Sequence, residues 1–312
     1  MTLTNDMADR IRGCIFGQAV GDALGLGTEF MTHEQVRKCY PTGLARYEQI
    51  VQDRHRSRWE RGSWTDDTDM MLCIAEARKD NLFDPMQVAA NFKKWFKGTP
   101  MGIGRHTYDV LVLADYTEIP YEVSKYMWEF SGCKSASNGA LMRTSVMGTS
   151  PLVEEKDVID ICRLTHYDPR CTGSCVMLVK LIQELIFHGR KLEANEVKTI
   201  GTGYDARICE YLELAQEEDP LKLAVDDAAM GYTLKTLAVA LWHFWRANDF
   251  EQGLLSVVNM GGDADTNAAV TCALLGAEFG YAAIPAYYVD HLLGRERLGR
   301  LCEDILADLA RA

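Results

Sequence analysis

Long apolar runs are missing from this chain: no unbroken stretch approaches the roughly 20 residues that a membrane-spanning helix requires. The opening residues MTLTNDMADRIRGC also lack the apolar core of a secretion signal, so a cytoplasmic protein without a membrane partner is expected. Excess positive charge is missing too. Lys and Arg total 33 against 45 Asp and Glu, and a net charge of −12 argues against general binding of nucleic acid, whose phosphates reward clustered cations. Proline is scarce, with 8 residues, and no Ser/Gly linker, low-complexity run or fixed-period repeat divides the chain. A single domain spanning residues 1–312 is therefore expected. No CxxC pair occurs among the 10 cysteines, which lie in apolar surroundings and read as buried thiols rather than zinc ligands or a disulfide framework.

What remains is helical periodicity over a chain that is 47% hydrophobic, enough to bury a large core. Leu234, Leu237, Ala238, Leu241, Trp242 and Trp245 fall on one helix face. Asp69 to Lys79, Cys175 to Phe187 and Thr266 to Phe279 read the same way, while strand alternation is hard to find. The expected fold class is all-α.

Two acidic clusters stand at the start of such segments. One is Trp64-Thr65-Asp66-Asp67-Thr68-Asp69, the other Gly261-Gly262-Asp263-Ala264-Asp265-Thr266-Asn267. Any one of these carboxylates is explained by the preference of helix first turns for negative charge, and Thr65 suits an N-cap. Two dense clusters are not. Carboxylates and hydroxyls without a convergent His or Cys set favour Mg²⁺, Mn²⁺ or Ca²⁺, and four carboxylates offset two divalent cations. If folding joins the clusters, they form halves of one hard-cation site.

Gly13, Gly17, Gly21 and Gly25 recur every fourth residue and would line one helix face for close packing, with Asp22 and Glu29 read either as nearby caps or as groups aimed into a cleft. The basic and aromatic run Asp53 to Arg61 reads as a solvated loop or as the rim of an anionic-substrate site beside Thr65.

Taken in order, Gly17 to Glu29 (GQAVGDALGLGTE), Trp64 to Asp69 (WTDDTD), Ser137 to Arg143 (SNGALMR), Thr165-His166 with Asp168, Gly231-Tyr232 with Thr236-Leu237, and Gly261 to Gly276 (GGDADTNAAVTCALLG) resemble the ADP-ribosylglycohydrolase family. This group includes hydrolases that remove ADP-ribose from dinitrogenase reductase. The resemblance runs from about Arg10 to Gly280. It implies an all-α orthogonal helical domain with two Mg²⁺ or Mn²⁺ ions, held by Thr65, Asp66 and Asp67 from one side and Asp263, Asp265 and Thr266 from the other. It further implies that Glu29 borders the active site, that Asn138 and His166 contact a diphosphate lined by Ser137 and Gly139, and that Tyr232 lies near the nucleotide. Gly102 stands where many relatives carry an acidic residue, and Ala264 where some carry threonine.

The implied activity is hydrolysis of the C1″ glycosidic bond of an ADP-ribosylated protein side chain, releasing ADP-ribose. Metal ions would ionise water near neutral pH, with Asp66 or Glu29 managing protons. The alternatives are a non-catalytic ADP-ribose binder, a hydrolase of ADP-ribose carried by a small molecule or nucleic acid, and a metal-dependent phosphoesterase.

Overall fold

A computed structural model describes residues 2–311; Met1 and Ala312, the two ends of the expected domain, lie outside the described residues. The chain is all-α, as its periodicity indicates, and the helices start where local chemistry allows. Thr4 caps Asn5–Gly25 by accepting the Met7 N–H at 3.2 Å. Three of the few prolines, Pro85, Pro120 and Pro169, occupy helix first turns, where a missing N–H costs nothing. Asp84 and Asp168 cap two of these helices through Met86 and Arg170.

The expected helix over Asp69 to Lys79 begins earlier, at Asp66, and stops at Ala75. Residues Arg78–Lys79 instead pair with Leu82–Phe83 in a short hairpin whose turn residues Asp80 and Asn81 have φ of 51° and 64°, the left-handed pair a tight two-residue turn demands. The other segments extend to Pro169–His188, Thr233–Arg246 and Ala264–Phe279. Pro169–His188 amends the membrane reading. Its length and mean hydropathy of 1.2 would suit a span, yet 83% of that window is buried inside the protein, as befits a core helix.

The centre of the core is the antiparallel pair Asn5–Gly25 and Ala264–Phe279. Added Cβ atoms on Gly13, Gly17, Gly21 and Gly25 would strike the carbonyl oxygens of Gly276, Cys272, Ala268 and Ala264 in turn. The glycine stripe therefore lets one backbone lie directly on the other, four residues against four. Thr233–Arg246 and Phe250–Val258 cover the Ala264–Phe279 helix, and Pro169–His188 packs on both central helices. Buried side chains from Ile11 to Leu309 form one hydrophobic cluster. Cys14, Cys73, Cys162, Cys171, Cys175, Cys272 and Cys302 are buried free thiols as expected, whereas Cys39 and Cys133 are exposed and Cys209 is half-buried.

Candidate active site

The stripe ends at Gly25 against Ala264, which brings the turn carrying Glu29 beside the loop carrying Asp263. Two isolated β-bridges tighten the surrounding loops, Met31 with Gly262 and Ser137 with Tyr232. Gly262 has φ of 70° and no room for a side chain against the Val225 carbonyl, so only glycine fits there without strain. Its carbonyl accepts the N–H of Phe30 at 2.6 Å, holding that non-glycine residue at φ of 60° next to Glu29.

The first acidic helix is fixed differently. Asp22 is fully buried, and its two oxygens accept the backbone N–H groups of Thr65 (2.9 Å) and Thr68 (3.0 Å) and the hydroxyls of Thr65 (2.9 Å) and Thr68 (2.6 Å). Thr65 sits at the N-cap position but makes no side-chain cap bond; Asp22, from another helix, satisfies the helix end instead. Gln18 supports the same end through its amide, which donates to the carbonyls of Asp67 (3.3 Å) and Met142 (3.0 Å).

A cavity of about 810 Å³ opens between these elements, within the range of small-molecule sites. Thr65, Asp66, Asp67, Asp263, Asp265 and Thr266 all line it, together with Glu29, Ser137, Asn138 and Gly139. The two acidic clusters therefore share one pocket. Oxygens of Glu29, Asp263 and Asp265 lie within 4.8 Å of one another, so Glu29 reaches the acidic centre from its border. Asp69 does not join them: it accepts the indole N–H groups of Trp64 (2.9 Å) and Trp95 (3.1 Å) and braces the helix from outside.

Burial and mutual repulsion disturb the four aspartates that line the cavity at the two helix starts, Asp66, Asp67, Asp263 and Asp265. Asp66 is pushed up to about 7, first by burial and then by Asp22, Glu29 and Asp263. Asp263 rises to about 6 through burial, with Asn138 and Thr266 pulling it back and Glu29 raising it. Asp67 and Asp265 are held well above the carboxylate range, by burial first and then by the neighbouring acids. One oxygen of Asp67, Oδ1, is buried without a hydrogen-bond partner among the described residues. Hard oxygen donors, crowded carboxylates and an orphaned buried acceptor are what a divalent-cation site requires.

The basic run Asp53 to Arg61 proves to be a clamp as well as a rim. Arg56 is buried, with its guanidinium donating to the Glu29 carbonyl, to the Gly27 carbonyl at 2.9 Å and to Asp53. Arg58 donates to Nδ1 of His55 at 2.7 Å, and a guanidinium has no acceptor, so the His55 proton sits on Nε2, which lies 2.6 Å from Glu29 Oε2. His55, Arg58 and Trp59 line the pocket, and His55, backed by Arg58, holds the Glu29 carboxylate.

Asn138 ties the second acidic cluster to the Thr233–Arg246 helix: its amide donates to Asp263 Oδ2 (2.7 Å) and to the Thr236 hydroxyl (2.9 Å). His166 is not on the pocket wall. It is 1% exposed and lies behind Ser137, whose Oγ is 2.8 Å from Nε2, and Gly139, where an added Cβ would come within 3.0 Å of the imidazole. Tyr232 likewise stands back, taking a 3.3 Å bond from Arg170, and its neighbour Gly231 reaches the cavity. Phe30, Met101, His106, Met127 and Phe130 are wall residues that no sequence pattern singled out individually. Gly102 packs on the acidic centre, since a Cβ there would lie 2.6 Å from Asp66 Oδ1.

The ADP-ribosylglycohydrolase profile matches residues 3–312. The chain belongs to the ADP-ribosylglycohydrolase family. It is 28% identical to an ADP-ribosyl-[dinitrogen reductase] glycohydrolase of Rhodospirillum rubrum, with 91% of this chain and 90% of that one covered. It is 25% identical to an ADP-ribosylarginine hydrolase of Serratia proteamaculans, covering 96% and 80%. An ADP-ribosylglycohydrolase-related protein complex of known structure superposes with a TM-score of 0.75 at 26% identity, covering 97% of this chain and 98% of the other. Family membership and the all-α fold therefore agree with the order of motifs along the chain.

Proposed function

We propose that this protein is a divalent-metal-dependent hydrolase that removes ADP-ribose from a modified protein side chain by cleaving the C1″ glycosidic bond. The observation that carries this reading is the meeting of the two acidic helix starts in one cavity, with Asp67 left an unpartnered buried oxygen. Thr65, Asp66, Asp67, Asp263, Asp265 and Thr266 would hold two Mg²⁺ or Mn²⁺ ions, with Glu29 close enough to share them. Such ions supply positive charge that offsets the carboxylates and the means to ionise water near neutral pH.

The protein's own groups set the rest. Asp66 and Glu29 are the carboxylates that would manage protons for the attacking water and the leaving group; the rise of Asp66 to about 7 belongs to the metal-free site, and a bound cation would bring it back toward the ionised form. Glu29, clamped at its carbonyl by Arg56 and at Oε2 by His55, presents a carboxylate of fixed direction at the mouth of the acidic centre. Ser137, Asn138 and Gly139 would border the diphosphate. The names of the R. rubrum and S. proteamaculans relatives point to ADP-ribosylated protein, arginine-linked in the second, as the substrate class to test.

Release of free ADP-ribose from arginine- and serine-ADP-ribosylated proteins, compared in Mg²⁺, Mn²⁺ and EDTA, tests the proposal. Metal-dependent release from one linkage class is expected. Tight ADP-ribose binding with no release from any substrate would point instead to the non-catalytic binder.

A further inference from the structure

Arg143 is the largest fully buried side chain in the molecule, and no carboxylate pairs with it among the described residues. Its guanidinium lies over the Phe92 ring at 4.3 Å, approaches the Met70 sulfur at 3.7 Å and makes one strong hydrogen bond, from Nη2 to Thr165 Oγ1 at 2.7 Å. Burying an unpaired cation is costly, so a core Arg with this environment calls for an explanation beyond packing.

The hydrogen-bond chain beyond Thr165 supplies one. Thr165 Oγ1 lies 2.7 Å from His166 Nδ1, and His166 Nε2 lies 2.8 Å from Ser137 Oγ. Arg can only donate, so Thr165 Oγ1 accepts from it. The single Thr165 hydroxyl hydrogen then has one acceptor in reach, His166 Nδ1. With Nδ1 accepting, the imidazole proton belongs on Nε2 and is donated to Ser137 Oγ. The opposite polarity would put the proton on Nδ1 and leave the Thr165 hydrogen buried with no acceptor, a cost of about 1–3 kcal/mol. A doubly protonated ring is excluded by its surroundings: burial, His106 and Arg143 all push His166 well below its ordinary range.

We infer that Arg143 and Thr165 are positioning residues that fix His166 as the Nε2–H tautomer, so that Ser137, accepting from His166, turns its own hydroxyl hydrogen to the pocket as a donor for an anionic ligand oxygen. Ser137 lines the cavity and has no other protein partner for that hydroxyl among the described residues. The orientation of the relay is a property of the chain itself. Its use on a phosphoryl oxygen rests on the ADP-ribose reading above.

The test is ¹⁵N–¹H NMR of the histidine side chains in the full-length protein, combined with calorimetry of ADP-ribose binding. Wild-type His166 is expected to show a protonated Nε2 and a bare Nδ1. Thr165→Val should mix or reverse the tautomer and weaken ADP-ribose roughly tenfold, the size of about one neutral hydrogen bond, and Thr165→Ser should restore both. Ser137→Ala should keep the tautomer and lose the affinity. A wild-type His166 protonated on Nδ1, or a Thr165→Val protein with an unchanged ring signature, would overturn the inference. An intact tautomer in a protein that ignores ADP-ribose would uphold the relay and count against the ligand reading.

Discussion

The two acidic helix starts bring carboxylates to one cavity by different means. The Asp66–Ala75 start is held by side chains: Asp22 binds four donors from Thr65 and Thr68, and Trp64 and Trp95 grip Asp69. The Ala264–Phe279 start has no side-chain cap of its own and rests mainly on backbone: Gly261 and Gly262 at φ of 77° and 70°, the Met31 bridge and the helix packing beneath it, with Asn138 donating to Asp263 as a side-chain brace. Both direct the positive end of a helix toward a shared group of carboxylates, which the dipole favours. A site built in this way has one half sensitive to changes in charge and the other to changes in shape.

The largest expected effect treats the halves as equals. Asp66→Ala and Asp265→Ala should each reduce ADP-ribose release to the level of an enzyme-free control while circular dichroism stays helical; turnover retained in either at saturating Mg²⁺ would break the two-halves picture.

Asp22→Asn separates them. It replaces one acceptor oxygen by a donor opposite Thr68, and should cost about 2–4 kcal/mol in urea unfolding and roughly 10–100-fold in Mn²⁺ affinity. Gly262→Ala is the matching test of the backbone half, with about 1–3 kcal/mol lost to strain at a positive φ that already lacks room beside Val225. An Asp22→Asn protein as stable as wild type would mean that the side-chain brace is ornamental.

Acidity probes both at once. Asp22 and Asp66 stand near 7 and Asp263 near 6 in the folded protein, against 3.8 for an unperturbed aspartate. Between these values the folded state holds protons that the unfolded state has released, so the contribution of these aspartates to metal-free stability is greatest at the acid end and falls as pH rises from about 4 to about 7, while His106, His166 and His243, pushed down by burial, act in the opposite sense up to about 6.5. Thermal melts in EDTA should fall in Tm from about pH 6.5, where the histidines no longer oppose the aspartates, to about pH 8, and Mg²⁺ should flatten the slope by replacing the protons. The smallest effect is reserved for Asp69→Asn, which keeps an acceptor for an indole N–H and leaves the pocket untouched; turnover should stay within about twofold, and stability within about 1 kcal/mol.

How much of this was legible varied with how local the determinant was. Glycines every fourth residue announce a close helix contact because the period belongs to one helix, and the acidic clusters announce themselves by density. Facing is another matter. Asp69 belongs to the same acidic cluster as Asp66 and Asp67, yet points to two tryptophans, one of them 26 residues away. The polarity of Asp53 to Arg61 suggested a solvated loop or a rim, whereas Arg56 turns inward and donates to the carbonyls of Gly27 and Glu29. His166 lies one layer behind the wall that its motif suggested, since Ser137 and Gly139 occupy the front. Met127 and Phe130 share one face of the Pro120–Phe130 helix, but which face of that helix meets the cavity depends on packing between segments far apart in the chain.

The glycine stripe also acts as a ruler. Because Gly13, Gly17, Gly21 and Gly25 each seat on a numbered carbonyl of the opposite helix, the register that sets the Glu29 turn beside Asp263 can change only in steps of the four-residue repeat. Removing one residue between Gly13 and Gly25 would rotate the stripe by about 100° and disengage it entirely, leaving no intermediate setting. Length variation in such a chain is therefore confined to its loops, and the spacing of the acidic centre is inherited as a digital rather than a graded property.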